Sequence, residues 1–160
     1  FQAFPDLIFA MAIMTFMGKG VLNLFIALGL LTWVRTARMI RGSVMQLKEK
    51  EYIEASRACG ASTYWIIMKG LVPNCLSTII VLVTLGIPNA IMYEASLSFL
   101  GIGIQPPTPS WGNMISAAQT FISFRPVYSI MPGVAIMITV IAFNIFGDGL
   151  RDALDPKLKN

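Results

Sequence analysis

The polar side chains of this sequence that could do chemistry are few, and they stand in otherwise apolar surroundings. Glu94 is the only acidic residue between positions 70 and 147. An acidic side chain at membrane depth is costly, and it is by default a functional candidate. Glu94 is therefore a candidate for a pathway or gate. Simple hydration, or pairing with a residue of a partner subunit, is the alternative.

Asn89 is a second pathway or gate candidate, because it follows Pro88 in the same apolar stretch. A proline frees a backbone carbonyl and can kink a helix. Such breaks are tolerated at membrane depth where they are buried in protein or line a water-filled cavity. The pattern predicts an interruption of the helix at Pro88, with Asn89 beside it.

The sequence offers little for enzymatic catalysis. It contains no histidine, which removes the commonest general base and the zinc sites that need imidazole. Cys59 and Cys75 form no CxxC pattern, so neither a disulfide framework nor a metal knuckle is indicated. We predict a non-catalytic chain without a cofactor or a metal site.

A charged block at positions 48–62 predicts two short helices at the membrane surface. We expect it to form a helix that Gly60 ends in the left-handed conformation. Ser62 then caps a second short helix over residues 63–72, which ends before Pro73.

One face of the first helix combines acidic and small residues. Glu51, Glu54 and Ala58 share this face by their helical spacing, and Ala55 and Ser56 are also small. Small side chains let another backbone or a bulky side chain approach closely. A docking surface and an ordinary solvated helix both remain possible from these residues alone.

The elements that position these residues follow from composition. The chain is 56% hydrophobic, and only 12% of its residues are charged, against roughly 25% in a soluble domain. Apolar segments cover residues 7–17, 21–34, 75–100 and 127–146, and a span needs about 20 residues. We predict an all-α polytopic membrane bundle with about four spans, the first two forming a short hairpin around Gly18 and Gly20.

The positions of the basic residues predict the orientation. Seven Lys and Arg residues lie between Arg35 and Lys69, whereas residues 99–126 contain only Arg125. Since cytoplasmic loops carry the excess of basic residues, loop 35–73 is expected in the cytoplasm and loop 101–126 outside. Both ends of the chain are then cytoplasmic. The net charge of +4 thus reflects membrane topology, and no nucleic-acid partner is expected.

Arg35, Arg38 and Arg41 recur at every third position as the second segment ends. They stack along one side of a continuing helix. Snorkelling membrane anchors and contacts to the acidic rim of a partner are the two interpretations.

Residues 54–60 and 71–73 resemble the E-A-A-x-x-x-G-x(9)-I-x-L-P signature of permease subunits in binding-protein-dependent ABC importers. The spacing of Gly60 and the terminal Pro73 hold. Three positions depart from the signature: Ser56 stands for the second alanine, Gly70 for the isoleucine and Val72 for the leucine. These small or apolar exchanges concern the fine fit of the loop.

Three more motifs look like the dipeptide and oligopeptide branch of that family, which also handles nickel, and match its second permease subunit. They are E-A-S-L-S-F-L-G at 94–101, Q-P-P-T-P-S-W-G at 105–112 and F-N-I-F-G-D-G-L-R-D-A-L-D-P at 143–156. The resemblance implies the type I permease fold of ABC importers over residues 1–160. Because the chain begins at Phe1, we expect it to be the C-terminal part of a longer permease that lacks the N-terminal spans.

In this family the E-A-A loop forms a coupling helix in a cleft of a cytoplasmic ATPase. Together with the face described above, the resemblance implies an ATPase-coupling surface of Glu51, Glu54, Ala55, Ser56, Ala58, Gly60 and Pro73. The implied partners are a second permease in a heterodimer, two ATPase subunits, an extracytoplasmic substrate-binding protein and the lipid bilayer of the inner membrane.

The implied function is ATP-driven import of dipeptides or oligopeptides, with hydrolysis on the partner subunits. A passive membrane channel and a membrane-embedded enzyme are the alternatives from other classes. An enzyme needs a nucleophile and a base at one depth, and the spans offer Glu94 and serines without histidine. The E-A-A-like loop argues against a passive channel.

Overall fold

The computed structural model describes residues 5–154. Its elements, in chain order, are α1 (Asp6–Met17), α2 (Val21–Lys48), α3 (Glu51–Ala58), α4 (Thr63–Trp65), a π-helical turn (Ile66–Leu71), α5 (Val72–Phe99), α6 (Trp111–Ala118), a 3-10 turn (Gln119–Phe121) and α7 (Val127–Leu154). No strand occurs among the described residues. The predicted all-α fold is confirmed.

Three helices are long and apolar enough to cross a membrane: α2, the continuous helix Thr63–Phe99 and α7. The second comprises α4, the π turn and α5. By contrast, α1 has 12 residues and is about 18 Å long, short of the roughly 30 Å of a bilayer core. Within residues 5–154 the expectation of about four spans therefore holds for three, and α1 is a shorter apolar helix.

The predicted hairpin between α1 and α2 is confirmed. Gly18 and Gly20 turn the chain with φ values of 83° and 149°, which favour glycine. Asn23 closes the turn by donating hydrogen bonds to the carbonyl oxygens of Met17 (2.7 Å) and Gly18 (3.1 Å).

A buried apolar cluster joins this hairpin to α5. Its members come from α1, α2 and α5, and they are Ala10, Met14, Leu24, Ala27, Leu28 and Leu97. On its other side α5 packs against α6 and α7. Gly147 of α7 permits a close approach, because a Cβ there would lie 2.6 Å from the Leu85 Cδ2 atom. The fold thus places α5 at the centre of the described helices.

The predicted helix end before Pro73 is wrong. A proline in a regular helix clashes with the carbonyl four residues earlier. Here Pro73 lies in the first turn of α5, directly after the π-helical turn. In that turn the Val72 N–H bonds the Ile67 oxygen, one residue further back than in an α-helix. The wider turn therefore lets the helix continue.

Two further local expectations differ from the structure. Pro88 is buried and does not interrupt α5, which is helical throughout Val72–Phe99; neighbouring helices can cover the carbonyl that a proline frees. The outer loop 101–126 contains α6, which the sequence did not predict. The cause is local, since Ser110 ends the proline-rich stretch and caps α6 by accepting a hydrogen bond from the Gly112 N–H (3.1 Å).

Candidate functional site

The predicted coupling residues lie together on and around α3. Glu51, Glu54, Ala55, Ala58 and Gly60 are exposed, and Ser56 is half-buried. Pro73, at the base of α5, is exposed as well. Ile53 is the one fully buried residue of α3. The helix α3 is thus held by one buried side chain, and most of its remaining surface is exposed.

The turn that ends α3 has the predicted form. Gly60 adopts φ 77°, and its N–H bonds the Arg57 oxygen (2.9 Å), while the Ala61 N–H bonds the Ser56 oxygen (3.0 Å). This pair of bonds is the Schellman arrangement. The Ser62 hydroxyl then accepts from the Trp65 N–H at 3.2 Å, so the predicted N-cap is confirmed.

Ile53 anchors α3 to the start of the long helix. It forms a buried cluster with Ile66 and Leu71. A Cβ added at Gly70 would lie 2.7 Å from the Ile53 Cδ1 atom. Gly70 stands where the family signature has isoleucine, and this departure has a physical account: the Ile53 side chain occupies the space that a larger residue at position 70 would need.

A polar contact reinforces the same junction. The Gly70 carbonyl accepts hydrogen bonds from the Tyr52 hydroxyl (3.2 Å) and from the Asn74 amide (2.7 Å). The Asn74 amide also donates to the Tyr52 hydroxyl oxygen at 3.3 Å. These bonds tie α3 to the π turn and to α5, so that α3 and the long helix are joined by both apolar and polar contacts.

Asn89 lies in a different setting, a cavity of about 140 Å³ between α1, α2 and α5. Its amide donates to the Leu85 carbonyl oxygen at 3.2 Å. Asp6 and Arg35 line the same cavity and form an ion pair at 2.8 Å. The Tyr93 hydroxyl donates to the same Asp6 oxygen at 2.9 Å. Asn89 therefore faces a polar cluster that draws on three helices.

Arg35 has a partner that the sequence did not predict, because its guanidinium contacts Asp6 of the same chain. Its side chain is 63% exposed, so this contact leaves both interpretations of Arg35 open. Asp6 and Tyr93 were not predicted as members of such a cluster. The available signal was an acidic residue at the start of the first apolar segment and a basic residue at the end of the second, on the two arms of a hairpin.

Glu94 lies near the C-terminal end of α5, where it accepts hydrogen bonds from α5 and from loop 101–126. The Ser98 hydroxyl donates to the Glu94 Oε1 atom at 2.7 Å, and the Ser110 hydroxyl donates to the same atom at 2.6 Å. The Ser98 hydroxyl oxygen in turn accepts from the Ile104 N–H at 2.9 Å. One carboxylate oxygen therefore links α5, the loop and the first residue before α6.

Glycines of the outer motifs allow this arrangement. Gly112 lies directly against the backbone of Ala95, which leaves no room for a Cβ. A Cβ on Gly103 would lie 2.6 Å from the Ser98 nitrogen. The Asn113 amide closes the loop by donating to the Ile104 carbonyl at 2.8 Å. The motifs at 94–101 and 105–112, which are separate in sequence, thus form one packed unit.

The structure does not bring the coupling surface and the pathway candidates together. Gly70 and Glu94 lie on one continuous helix, about 36 Å apart at 1.5 Å per residue. The arrangement can therefore transmit a displacement along a helix, and it offers no single centre where coupling and pathway residues could react together.

Comparison with known proteins shows the family of the chain. Residues 1–160 match the family described as "Binding-protein-dependent transport system inner membrane component". The chain is 43% identical over 157 residues to the "Glutathione transport system permease protein GsiD" of Escherichia coli O157:H7 and, equally, to that of Shigella flexneri serotype 5b. Each match covers 98% of this chain and 52% of the relative, so the chain spans about half the length of these curated relatives. The chain belongs to the family of binding-protein-dependent transport system inner membrane components, which are transport subunits rather than enzymes.

Proposed function

We propose that this chain is part of a permease subunit in an ATP-driven importer of dipeptides, oligopeptides or peptide-like solutes. The geometry of α3 carries the proposal. Its one buried side chain, Ile53, holds it on the long helix, while Glu54 and Ala55 are exposed. A short helix fixed on one side and open on the other suits insertion into the cleft of a partner.

The coupling surface of this proposal is the set of exposed residues around α3. Glu51 and Glu54 supply acidic groups for basic residues of an ATPase subunit, and Ala55, Ser56 and Ala58 permit close approach. Gly60 ends the helix in a conformation that other residues adopt only with strain. Pro73 marks the point where the junction passes into α5.

The proposed partners are those of the family resemblance. A second permease subunit completes a heterodimer around the pathway, two ATPase subunits contact the coupling helices in the cytoplasm, and a binding protein delivers solute outside. In this orientation loop 35–73 and both ends of the chain are cytoplasmic, and loop 101–126 is extracytoplasmic. The exposed apolar side chains along α5 and α7, such as Val83 and Ile138, are suited to lipid or to the helices of the second subunit.

Two observations support a peptide-like solute. The motifs at 94–101 and 105–112 resemble the peptide branch, and the relatives at 43% identity are named as glutathione permeases. Glutathione is itself a tripeptide, so the two agree on the class of solute. Chelated nickel is the alternative within the branch, and competition of peptide uptake by a nickel chelate separates the two.

ATP binding would move the ATPase subunits, and α3 would follow because its acidic face is docked there. The anchor at Ile53 then displaces the long helix, which carries Asn89 and Glu94. We assign these two residues to the pathway or its gate. Nucleotide thereby biases the equilibrium between inward-open and outward-open states, which is coupling in the thermodynamic sense.

Charge reversal on α3 tests the proposal. In the assembled full-length importer, Glu54→Arg is expected to lower solute-stimulated ATP hydrolysis about tenfold or more, since a docked charge is replaced by its opposite. Asp152→Arg is the matched control, because Asp152 is exposed at the end of α7 and lies outside α3. Normal hydrolysis and uptake with Glu54→Arg would refute the coupling assignment.

A further inference from the structure

A cavity lies beside Glu94, at the end of the long helix opposite to α3. It has a volume of about 430 Å³ and is lined by Glu94, Ile104, Pro109, Ser110, Trp111 and Met114. Its lining thus combines one carboxylate and one indole with apolar side chains. Among the described residues, no basic side chain lines it.

The Glu94 carboxylate is held in place but is not neutralised. Both of its hydrogen bonds, from Ser98 and Ser110, end on the Oε1 atom. Within residues 5–154 no hydrogen bond reaches its Oε2 atom, and no described residue forms an ion pair with it. The Oε2 atom thus receives no hydrogen bond from the described residues, and the Glu94 side chain lines the cavity.

The negative charge exceeds what the outer loop requires. The two serine hydroxyls need only an oxygen acceptor, and the amide oxygen of a glutamine has the same capacity. A partly buried charge costs more than a neutral amide unless a positive group compensates it. The charge on Glu94 thus points to a cationic occupant.

From this cavity we infer that Glu94 and Trp111 form a binding station for the primary ammonium group of a peptide-like solute. This inference rests on the proposed importer function and specifies the end of the solute that the permease recognises. The Oε2 atom accepts from the ammonium group, and an ammonium near an indole face gains a cation–π attraction. A terminal carboxylate is disfavoured there, because no basic residue of the part of the chain that the structure describes lines the cavity.

Paired ligands test this assignment directly on the assembled full-length importer in nanodiscs, without the binding protein. The probes are alanyl-alanine amide, which carries a free ammonium group, and N-acetyl-alanyl-alanine amide, which does not. Ligand-observed NMR titration gives the Kd of each probe. We expect the free-ammonium probe to bind more tightly to the unmodified importer by about tenfold, the factor typical of a hydrogen bond to a charged group.

Three variants separate recognition from folding. Glu94→Gln keeps the acceptor for Ser98 and Ser110, and it is expected to raise the Kd of the free-ammonium probe about tenfold while leaving the acetylated probe unchanged. Trp111→Leu removes the indole and is expected to raise the same Kd about threefold. Ser110→Ala keeps the carboxylate but removes the cap of α6 and one of the two hydrogen bonds that hold Glu94, so it should raise the Kd of the free-ammonium probe by less than Glu94→Gln does.

The inference is overturned if the unmodified importer binds both probes equally, or if Glu94→Gln leaves both Kd values unchanged or changes them by the same factor. It is also overturned if Glu94→Gln releases the second permease subunit on purification, because Glu94 would then pair with that subunit. ATP-driven uptake by the unmodified importer is measured alongside in proteoliposomes, with the binding protein present. An importer that transports but lacks the Glu94 effect refutes this inference alone, whereas the absence of ATP-driven uptake refutes the proposed function.

Discussion

The contact between Gly70 and Ile53 allows a double-mutant test of how α3 is attached to the long helix. A Cβ at position 70 would lie 2.7 Å from the Ile53 Cδ1 atom, while its next neighbours, in Ile66 and Tyr52, are 4.0 Å away. Gly70→Ala therefore overlaps with a single atom. Ile53→Val removes that atom and leaves the remainder of the side chain.

The expected free energies follow from these distances. Overpacking costs about 1–3 kcal/mol, and the gain from replacing a helical glycine with alanine is roughly 0.5–1 kcal/mol, so Gly70→Ala should destabilise by about 1 kcal/mol. Ile53→Val alone should cost about 0.5–1.5 kcal/mol. In the double variant the new methyl group fills the vacated space. We therefore expect a favourable interaction energy of about 1 kcal/mol.

The assay is the free energy of unfolding of the purified full-length permease in mixed micelles. Gly86→Ala is the matched control, because Gly86 lies in the same long helix and has no atom within 4 Å of a built Cβ. That control should be neutral or slightly stabilising. Additive effects of Gly70→Ala and Ile53→Val would refute the reasoning, since they would mean that the two positions do not share one space.

Three more predictions follow from single contacts. Gly60→Ala should destabilise the purified permease by about 1–2 kcal/mol, because Gly60 has a φ of 77°, and Gly60→Asn should destabilise it by less. Equal losses of unfolding free energy for the two variants would contradict this. Asp6→Ala should lower the free energy of unfolding by about 1–2 kcal/mol, because it removes the partner of both Arg35 and Tyr93. Arg35→Ala should lower it by at most about 1 kcal/mol, since the Arg35 side chain is 63% exposed. The reverse order in the same assay would refute the proposed cluster. Gly112→Ala should abolish the folded outer unit, because the added Cβ meets the Ala95 backbone, which cannot rotate away; protease resistance of residues 101–126 at the unmodified level would contradict the packing.

The sequence was sufficient for features that local chemistry determines. Gly60 and Ser62 were predicted as the end of one helix and the cap of the next, and both are confirmed, because each conformation depends on residues within one turn. The long apolar segments likewise predicted the spans. A bilayer restricts the length and composition of a spanning helix so strongly that such helices can be predicted without tertiary contacts.

Features that depend on contacts between distant residues were not predictable. Pro73 and Pro88 were expected to end or interrupt helices, yet a π turn and burial in the bundle accommodate them. The cap at Ser110 is local by contrast, and it was not predicted because the three prolines before it suggested an irregular loop. The ion pair of Asp6 and Arg35 joins the two arms of a hairpin, and only the packing of α1 against α2 determines which residues meet.

One helix relates the proposed coupling surface to the cavity beside Glu94. Thr63–Phe99 is continuous over 37 residues, and it receives α3 at Gly70 while carrying Glu94 about 36 Å away. Its irregular part, the π turn Ile66–Leu71, lies at the end that contacts α3. Pro88 lies within the helix and does not interrupt it. A displacement of α3 that is transmitted through Ile53 would therefore move this helix and the Glu94 carboxylate with it. Because Glu94 also holds Ser98 and Ser110, the same displacement would shift the start of α6, so the binding station and the outer loop would respond to nucleotide together.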